Sequence, residues 1–399
     1  MSVQPPQTLN DACEFIVDCL HATAPTQSDG YPLIRTPNIG KGRLDFADVY
    51  RVSEETYQTW TKRAVPEPGD LILAREAPAG NVAIVREGDK VCLGQRTVHL
   101  RPNRAKVNPD FLCYFLLAPP QQGKLLAGET GATAKHVNMK DIRRLELAGL
   151  PSLSTQRAAG SLLANYDDLT ENNQRRIELL ENAARQLYHE WFVRLRFPGH
   201  EHTRITNGLP QGWERKTLGD LCTDVRETAL PGQLEPETPY IGLEHMPRRS
   251  ISLSEWGRVE EVTSTKHRFR AGEILFGKIR PYFHKVGVAF VNGVASSDAI
   301  VIRPSTEDLG CLVLMAMSSD PFVASTAQSM REGSKMPRAD WRLMKQYPVP
   351  LPPHGLLDTF NGTVRSIVEQ LKTLAFQNHK LRTARGLLLP RLMSGAIPV

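Results

Sequence analysis

Two stretches of the chain, one near its middle and one at its end, repeat apolar residues at spacings of three, four or seven. The first runs from about Thr155 to Arg194 and lines up Leu162, Tyr166, Leu169, Asn173, Leu180, Leu187 and Trp191. The second runs from about Leu357 to Met393 and lines up Phe360, Val364, Ile367, Leu371, Leu374, Asn378, Leu381 and Leu388. Such spacing predicts two long helices, each with one apolar face that asks for a partner helix. Each face contains one asparagine, Asn173 and Asn378. On the seam an asparagine costs stability but fixes register; slightly off the seam it is solvated.

The regions before these helices read differently. Short apolar runs such as Leu71 to Ala74 and Val82 to Val85 flank a Pro-Ala-Gly turn, which predicts a strand, a turn and a returning strand. Glu273 to Phe290 repeats that layout with a longer basic insert. The correspondence extends along the chain. Leu9-Asn10-Asp11-Ala12-Cys13 matches Leu218-Gly219-Asp220-Leu221-Cys222, and Pro32-Leu33-Ile34 matches Pro239-Tyr240-Ile241. Gly69-Asp70-Leu71-Ile72-Leu73 matches Gly272-Glu273-Ile274-Leu275-Phe276. Val98-His99-Leu100-Arg101-Pro102 matches Ile300-Val301-Ile302-Arg303-Pro304, and Leu150-Pro151 matches Val349-Pro350. The order is kept while the offset drifts from 209 residues to 199. Two copies of one fold look this way after small loop insertions and deletions.

The 399 residues divide accordingly into a mixed region at 1–152, a long helix at 153–196, a linker at 197–208, a second mixed region at 209–352 and a second long helix at 353–395. The fold class expected is α+β: two pseudo-repeated mixed α/β domains, each followed by a long helix. Hydrophobic residues make up 41% and charged residues 23%, an ordinary globular composition and not a disordered one. The net charge of +6 is a modest basic excess that fits a nucleic-acid partner without demanding one. Six cysteines, none in a C-x-x-C pair, read as buried apolar residues in a reducing compartment. No signal-peptide pattern opens the sequence and no apolar run approaches the roughly 20 residues of a membrane span, so a cytoplasmic location is expected. His200 and His202 lie in the linker and read as solvated surface, so no metal is expected.

At this point the residues resemble a known family. Leu209-Pro210-Gln211-Gly212-Trp213-Glu214-Arg215-Lys216-Thr217-Leu218-Gly219-Asp220 resembles the opening of a target-recognition domain in the specificity (S) subunits of type I restriction–modification systems. The run from Gly272 to Gly277 resembles that family's "GDIL" strand. Tyr188 to Val193 followed by Phe197-Pro198-Gly199, and Leu387 to Gly395, resemble the ends of its two conserved helices. The first copy departs from the pattern, lacking a Pro-x-Gly-Trp opening before Leu9, which implies a shortened or differently packed start.

The resemblance implies two target-recognition domains that each read one half of a split, asymmetric site in double-stranded DNA. It implies an antiparallel pair of helices holding them apart. Two methylation subunits would dock on those helices and use S-adenosylmethionine; restriction subunits, where present, would use ATP and Mg2+. The chain itself would bind no cofactor and hold no catalytic site. A helix of 35 residues is roughly 50 Å long. Half-sites one DNA turn apart lie about 34 Å from each other, which such a spacer can bridge.

Base edges set specificity and phosphates set affinity, so the candidate contacts are basic and polar side chains on loops. The densest cluster is Lys278-Ile279-Arg280-Pro281-Tyr282-Phe283-His284-Lys285 in the second copy. Arg280 suits a guanine edge, and Lys278 or Lys285 suits phosphate. A solvated basic hairpin, or Tyr282 and Phe283 packed in the core, is the plainer reading of the same residues. In the first copy the aligned segment holds Arg75. Gly94-Gln95-Arg96-Thr97 aligns with Ser296-Ser297-Asp298-Ala299, which adds Gln95, Arg96 and Ser297. Gly131 to His136 aligns with Gly333 to Arg338, which adds Lys135, His136, Lys335 and Arg338. Asn108-Pro109-Asp110-Phe111 resembles an adenine-methyltransferase motif, but no glycine-rich loop precedes it. It reads more simply as the start of a helix over Asp110 to Leu117, with Asn108 as the cap and Pro109 at the first position. The rival function is a coiled-coil interaction protein with no sequence-specific DNA binding.

Overall fold

The computed structural model describes residues 6–127, 136–230, 232, 234–259, 264–328 and 337–399. The chain forms two compact units, one of Met1–Thr170 with Leu381–Val399 and the other of Glu171–Lys380. Both are mixed α/β.

In the first unit, Leu71–Ala74 is a central strand, paired antiparallel with Val82–Ile84 on one side and Thr97–Pro102 on the other. Cys13–Asp18 extends the sheet beyond Thr97–Pro102. Both faces of the central strand are covered. Leu71 and Leu73 join the core built with Phe111, Leu112 and Leu163, while Ile72 and Ala74 join a second cluster with Ile34, Ile39 and Leu93. Burial on both sides is why this strand is a continuous apolar run and not an alternating one. A smaller sheet orders Tyr50–Val52, Tyr31–Ile34 and Cys92–Leu93, the last two parallel.

The second unit repeats this wiring. Cys222–Val225, Ala299–Pro304, Ile274–Gly277 and Val286–Ala289 lie in the same order, with Ser252–Leu253 added at the edge. Pro239–Ile241 pairs parallel with Gly293–Ala295, as Tyr31–Ile34 does with Cys92–Leu93. Each unit opens with a one-turn helix closed by a reciprocal threonine–aspartate cap, Thr8 with Asp11 and Thr217 with Asp220. The Leu9 N–H then donates to Leu145 O, and the Leu218 N–H to Tyr347 O. The openings differ around this point. In the second unit Glu214–Thr217 pairs with Pro348–Leu351, and buried Trp213 packs on Phe192 and Phe197. In the first unit the corresponding pairing is the single bridge between Thr8 and Glu146.

The long helices span Leu153–Tyr188, continued by a π-turn at His189–Val193, and His354–Met393. Both begin slightly before the positions that periodicity predicts. Ser152 accepts from the Thr155 N–H and starts the first, and Pro353 O accepts from Leu357 N–H at the start of the second. Within the second unit Asn173 meets Gln377 and Trp191 meets Phe360, so these helix segments run antiparallel. Asn173 and Asn378 are both buried; Asn173 Nδ2 donates to Gln377 Oε1 at 3.4 Å. The predicted seam of the second helix is buried from Phe360 to Asn378, with Leu381 and Leu388 half-buried. The first helix needs correction. Leu169 is 52% exposed, while the buried stripe runs Asn173, Ile177, Glu181, Ala184, Tyr188 and Trp191. One residue turns a helix by about 100°, so Leu169, next to the extrapolated stripe position at 170, faces away from it. Leu162, Leu180 and Leu187 are half-buried at the flank.

Asn108 caps the helix Pro109–Leu117, its side chain accepting from the Phe111 N–H at 2.9 Å. Five of the six cysteines are buried and none is bonded to another. Burial pushes the thiols of Cys13, Cys92 and Cys222 up to about 12, so they stay protonated. No single helix among the described residues is long and apolar enough to cross a membrane.

Candidate nucleic-acid interface

In each unit three separate segments meet at the end of the central strand through backbone hydrogen bonds. In the second unit the Lys278 N–H donates to Asp298 O at 2.7 Å, and the Ala339 N–H to Lys278 O at 2.9 Å. In the first the Arg75 N–H donates to Arg96 O at 2.9 Å, and the Val137 N–H to Arg75 O at 2.9 Å. Arg75 thus corresponds to Lys278, Arg96 to Asp298 and His136 to Arg338, which are the alignments that the repeat predicts.

The side chains on this shared frame differ. In the second unit Arg280 and His284 adopt left-handed backbone conformations (φ 49° and 54°) at either end of a 3-10 turn at Pro281–Phe283. These two residues fold the basic insert back on itself. Tyr282 is 54% exposed and meets Phe283 edge-on. The Phe283 ring carries the Arg248 guanidinium at 4.2 Å and that of Arg280 at 5.8 Å. Planar cations stacked on an aromatic ring are held in place while their N–H edges stay free to donate. Ser297 is exposed, and Arg338 is exposed with its guanidinium 3.4 Å from Asp298.

Three residues of this cluster turn inward. His284 is buried, with Nε2 2.8 Å from Ser318 O, and burial pushes its pKa down. It braces the turn and does not project from it. Lys278 Nζ donates to Ser297 O and Lys285 Nζ to Leu243 O, and burial lowers both pKa values. Lys335 lies outside the described residues.

In the first unit Arg75 is only 8% exposed and is corrected from a surface contact to a buried brace. Its guanidinium donates to Asp18 at 2.6 Å, to Val137 O at 3.0 Å and contacts the His136 ring. Arg96 is exposed, left-handed (φ 65°) and ion-paired with Glu76. Gln95 Nε2 donates to Thr23 at 3.2 Å, and His136 is half-buried. Lys135 lies outside the described residues. Two groupings have no counterpart in the sequence reading. Arg35 stacks on exposed Tyr50 at 3.9 Å, beside Gly94. Arg226, exposed and paired with Asp224, stands near Lys278. Arg248 could have been found from its basic doublet with Arg249. Arg35 and Tyr50 are joined only by strand pairing and leave no linear signal. Among the described residues no group of three or more His, Cys, Asp or Glu side chains is placed to hold a metal ion.

Comparison with known proteins places this arrangement. Residues 8–182 match the family model for the type I restriction modification DNA specificity domain. The MjaIX specificity subunit of Methanocaldococcus jannaschii is 21% identical over 366 residues, covering 87% of this chain and 82% of that protein. The EcoDI specificity subunit of Escherichia coli is 24% identical over 299 residues, covering 69% of this chain and 65% of that protein. The crystal structure of a type I restriction–modification S subunit from M. genitalium shares the fold, with a TM-score of 0.58 at 16% identity over 97% of this chain and 95% of that one. The chain is thus similar to type I restriction–modification specificity subunits, by a domain match over residues 8–182 and by distant relatives along most of its length.

Proposed function

We propose that this chain is the DNA-reading subunit of a type I restriction–modification complex and selects a bipartite, asymmetric target. The observation that carries this is the repeated three-segment frame furnished with unlike side chains. Around the inward-turned Arg75 and Lys278, exposed Arg96 and half-buried His136 stand in one unit where Asp298 and exposed Arg338 stand in the other. One frame with two chemistries reads two different half-sites, because base-edge discrimination depends on the donors and acceptors presented. The domains are those set out from the sequence, 1–152 and 209–352, with the antiparallel long helices as spacer. Two methylation subunits supply S-adenosylmethionine and adenine methylation; restriction subunits, where present, supply ATP- and Mg2+-dependent cleavage. The chain carries no catalytic site and works in the cytoplasm. An interaction protein without DNA recognition has no use for two differently furnished frames.

The test is to co-express the chain with its methylation subunits and map methylated adenines across the host genome. A split motif with two unlike halves is expected, and it should vanish when the chain is omitted. Methylation that persists without the chain, or a motif with no interruption, overturns the reading.

A further inference from the structure

The buried stripe of the first long helix contains one ionisable residue that the seam does not require. Glu181 stands between Ile177 and Ala184 and is 3% exposed. An apolar side chain would satisfy a helix seam at this position, and a desolvated carboxylate is costly unless hydrogen bonds compensate it. Three donors do so at a single oxygen. Glu181 Oε1 accepts from Ser250 Oγ at 2.6 Å, from the Ile251 N–H at 3.0 Å and from the Ser252 N–H at 3.0 Å. One turn further along the helix, Arg185 donates to Arg249 O.

The segment held in this way is the one that supports the basic aromatic turn. Arg249 is left-handed (φ 55°), its N–H donates to His284 O at 2.9 Å, and its side chain pairs with Asp320 at 2.9 Å. Arg248, the next residue back, stacks on Phe283. The first unit shows the same device with other groups. There Gly42 bridges Ala83 in parallel, as Ser252 does Val288. Arg43 pairs with Asp168 of the first long helix, and Arg385 of the second donates to Lys41 O at 2.6 Å. In both units the segment beside the returning strand is clipped to a long helix, by unrelated side chains at equivalent places. Such recurrence is expected of a functional constraint on where the segment sits, not of a conserved packing detail.

We infer that Glu181 is a positioning residue for DNA reading: it fastens the Arg248–Ser252 segment to the long helix and so fixes the turn that bears Arg280 and Tyr282. The inference rests on the proposed function of that turn. Loss of the carboxylate frees Ile251 and Ser252, lets Arg248 leave Phe283, and blurs the placement of the base-facing edge without removing any contact residue.

The experiment compares wild type, E181A, E181Q and R280A as full chains assembled with the methylation subunits. Binding is measured to duplexes carrying the mapped site, the site with its second half scrambled, and the site with its first half scrambled. E181A is expected to lose about tenfold in discrimination at one half only, on the scale of one base-edge contact. Discrimination at the other half and the salt slope stay at wild-type values. E181Q keeps a carbonyl oxygen for the three donors and retains most of the discrimination. Amide hydrogen exchange in the free complexes is expected to rise in E181A across Arg249 to Ser252 and Phe283 to His284. Wild-type exchange there, or equal losses at both halves, overturns the positioning role. R280A with undiminished discrimination instead strikes the reading of the turn, and the exchange result then judges the clip by itself.

Discussion

The Arg101 guanidinium grips the Asp70 carboxylate with two hydrogen bonds, Nε to Oδ1 at 2.9 Å and Nη2 to Oδ2 at 2.8 Å. Their counterparts in the second unit, Glu273 and Arg303, are also ion-paired, through Arg303 Nε alone, while Arg303 Nη2 donates to Glu227 at 3.1 Å. The acid follows the glycine that opens the central strand, and the arginine precedes the proline that ends its neighbour. The recurring Gly-acid and Arg-Pro pairs of the sequence are thus two ends of one cross-strand ion pair.

Asp70 is the better buried of the two acids and also meets His99 at 2.6 Å. Burial pushes its pKa up, but the hydrogen bonds from His99 and Arg101 outweigh that and hold it at about 2. A carboxylate whose folded pKa lies below its unfolded value stabilises the fold above the unfolded pKa, near 4. That contribution fades as pH falls through 2. Asp70→Asn should therefore lower unfolding free energy by about 2–3 kcal/mol at pH 7. It should also flatten the loss of stability between pH 4 and 2, as read by denaturant titration at a series of pH values.

Arg280→Ala should weaken discrimination at one half-site by about 1–3 kcal/mol and leave the other half unchanged. Competition binding with half-scrambled duplexes separates the two. Lys285→Ala, which removes a brace to Leu243 O, should lower thermal stability more than the salt dependence of binding. Arg338→Ala, if that exposed side chain meets phosphate, should lower the salt slope by about one.

Arg35→Ala should affect the half-site that Arg280→Ala spares, because Arg35 and its Tyr50 platform stand in the first unit beside Gly94. An effect of about tenfold on discrimination there, with none at the other half, is the expected result of losing one guanidinium contact.

Gly160→Ala should destabilise the chain by about 1–3 kcal/mol. A Cβ at this position would stand 2.7 Å from the Phe111 backbone nitrogen and 2.8 Å from Asn108 Oδ1, so the long helix could no longer lie against the capped start of Pro109–Leu117. Thermal unfolding compared with that of Gly362→Ala, where a Cβ meets nothing within 4 Å, isolates the close approach from helix propensity.

What was legible in the sequence follows from how each contact is encoded. Leu71 to Ala74 announces itself because burial on both faces demands an unbroken apolar run. Phe360 to Asn378 is legible because the residues at spacings of three and four in that stretch are all buried. The first helix misleads because Leu169 and Leu179 are exposed while Glu181 is buried, so hydrophobicity and burial part company. Arg75 and His284 look like surface cations in a linear reading, yet each is consumed by partners that come from distant segments. The clip between Glu181 and Ser250 joins residues on different elements, and no periodicity reports it.

The core of the first unit places Leu389, Leu392 and Met393 in the same cluster as Phe111 and Leu163. More than 200 residues of chain separate those contributions. At a synthesis rate of ~5–20 residues per second, the ribosome needs on the order of 10–40 s to deliver the last pieces. Over that interval the nascent first unit waits with an unfilled apolar cleft until Leu389, Leu392 and Met393 emerge to seal it. The order of translation therefore makes completion of the first unit follow synthesis of the Glu171–Lys380 unit, and a chain terminated before Leu389 leaves the apolar cleft of the first unit exposed to chaperones and proteases.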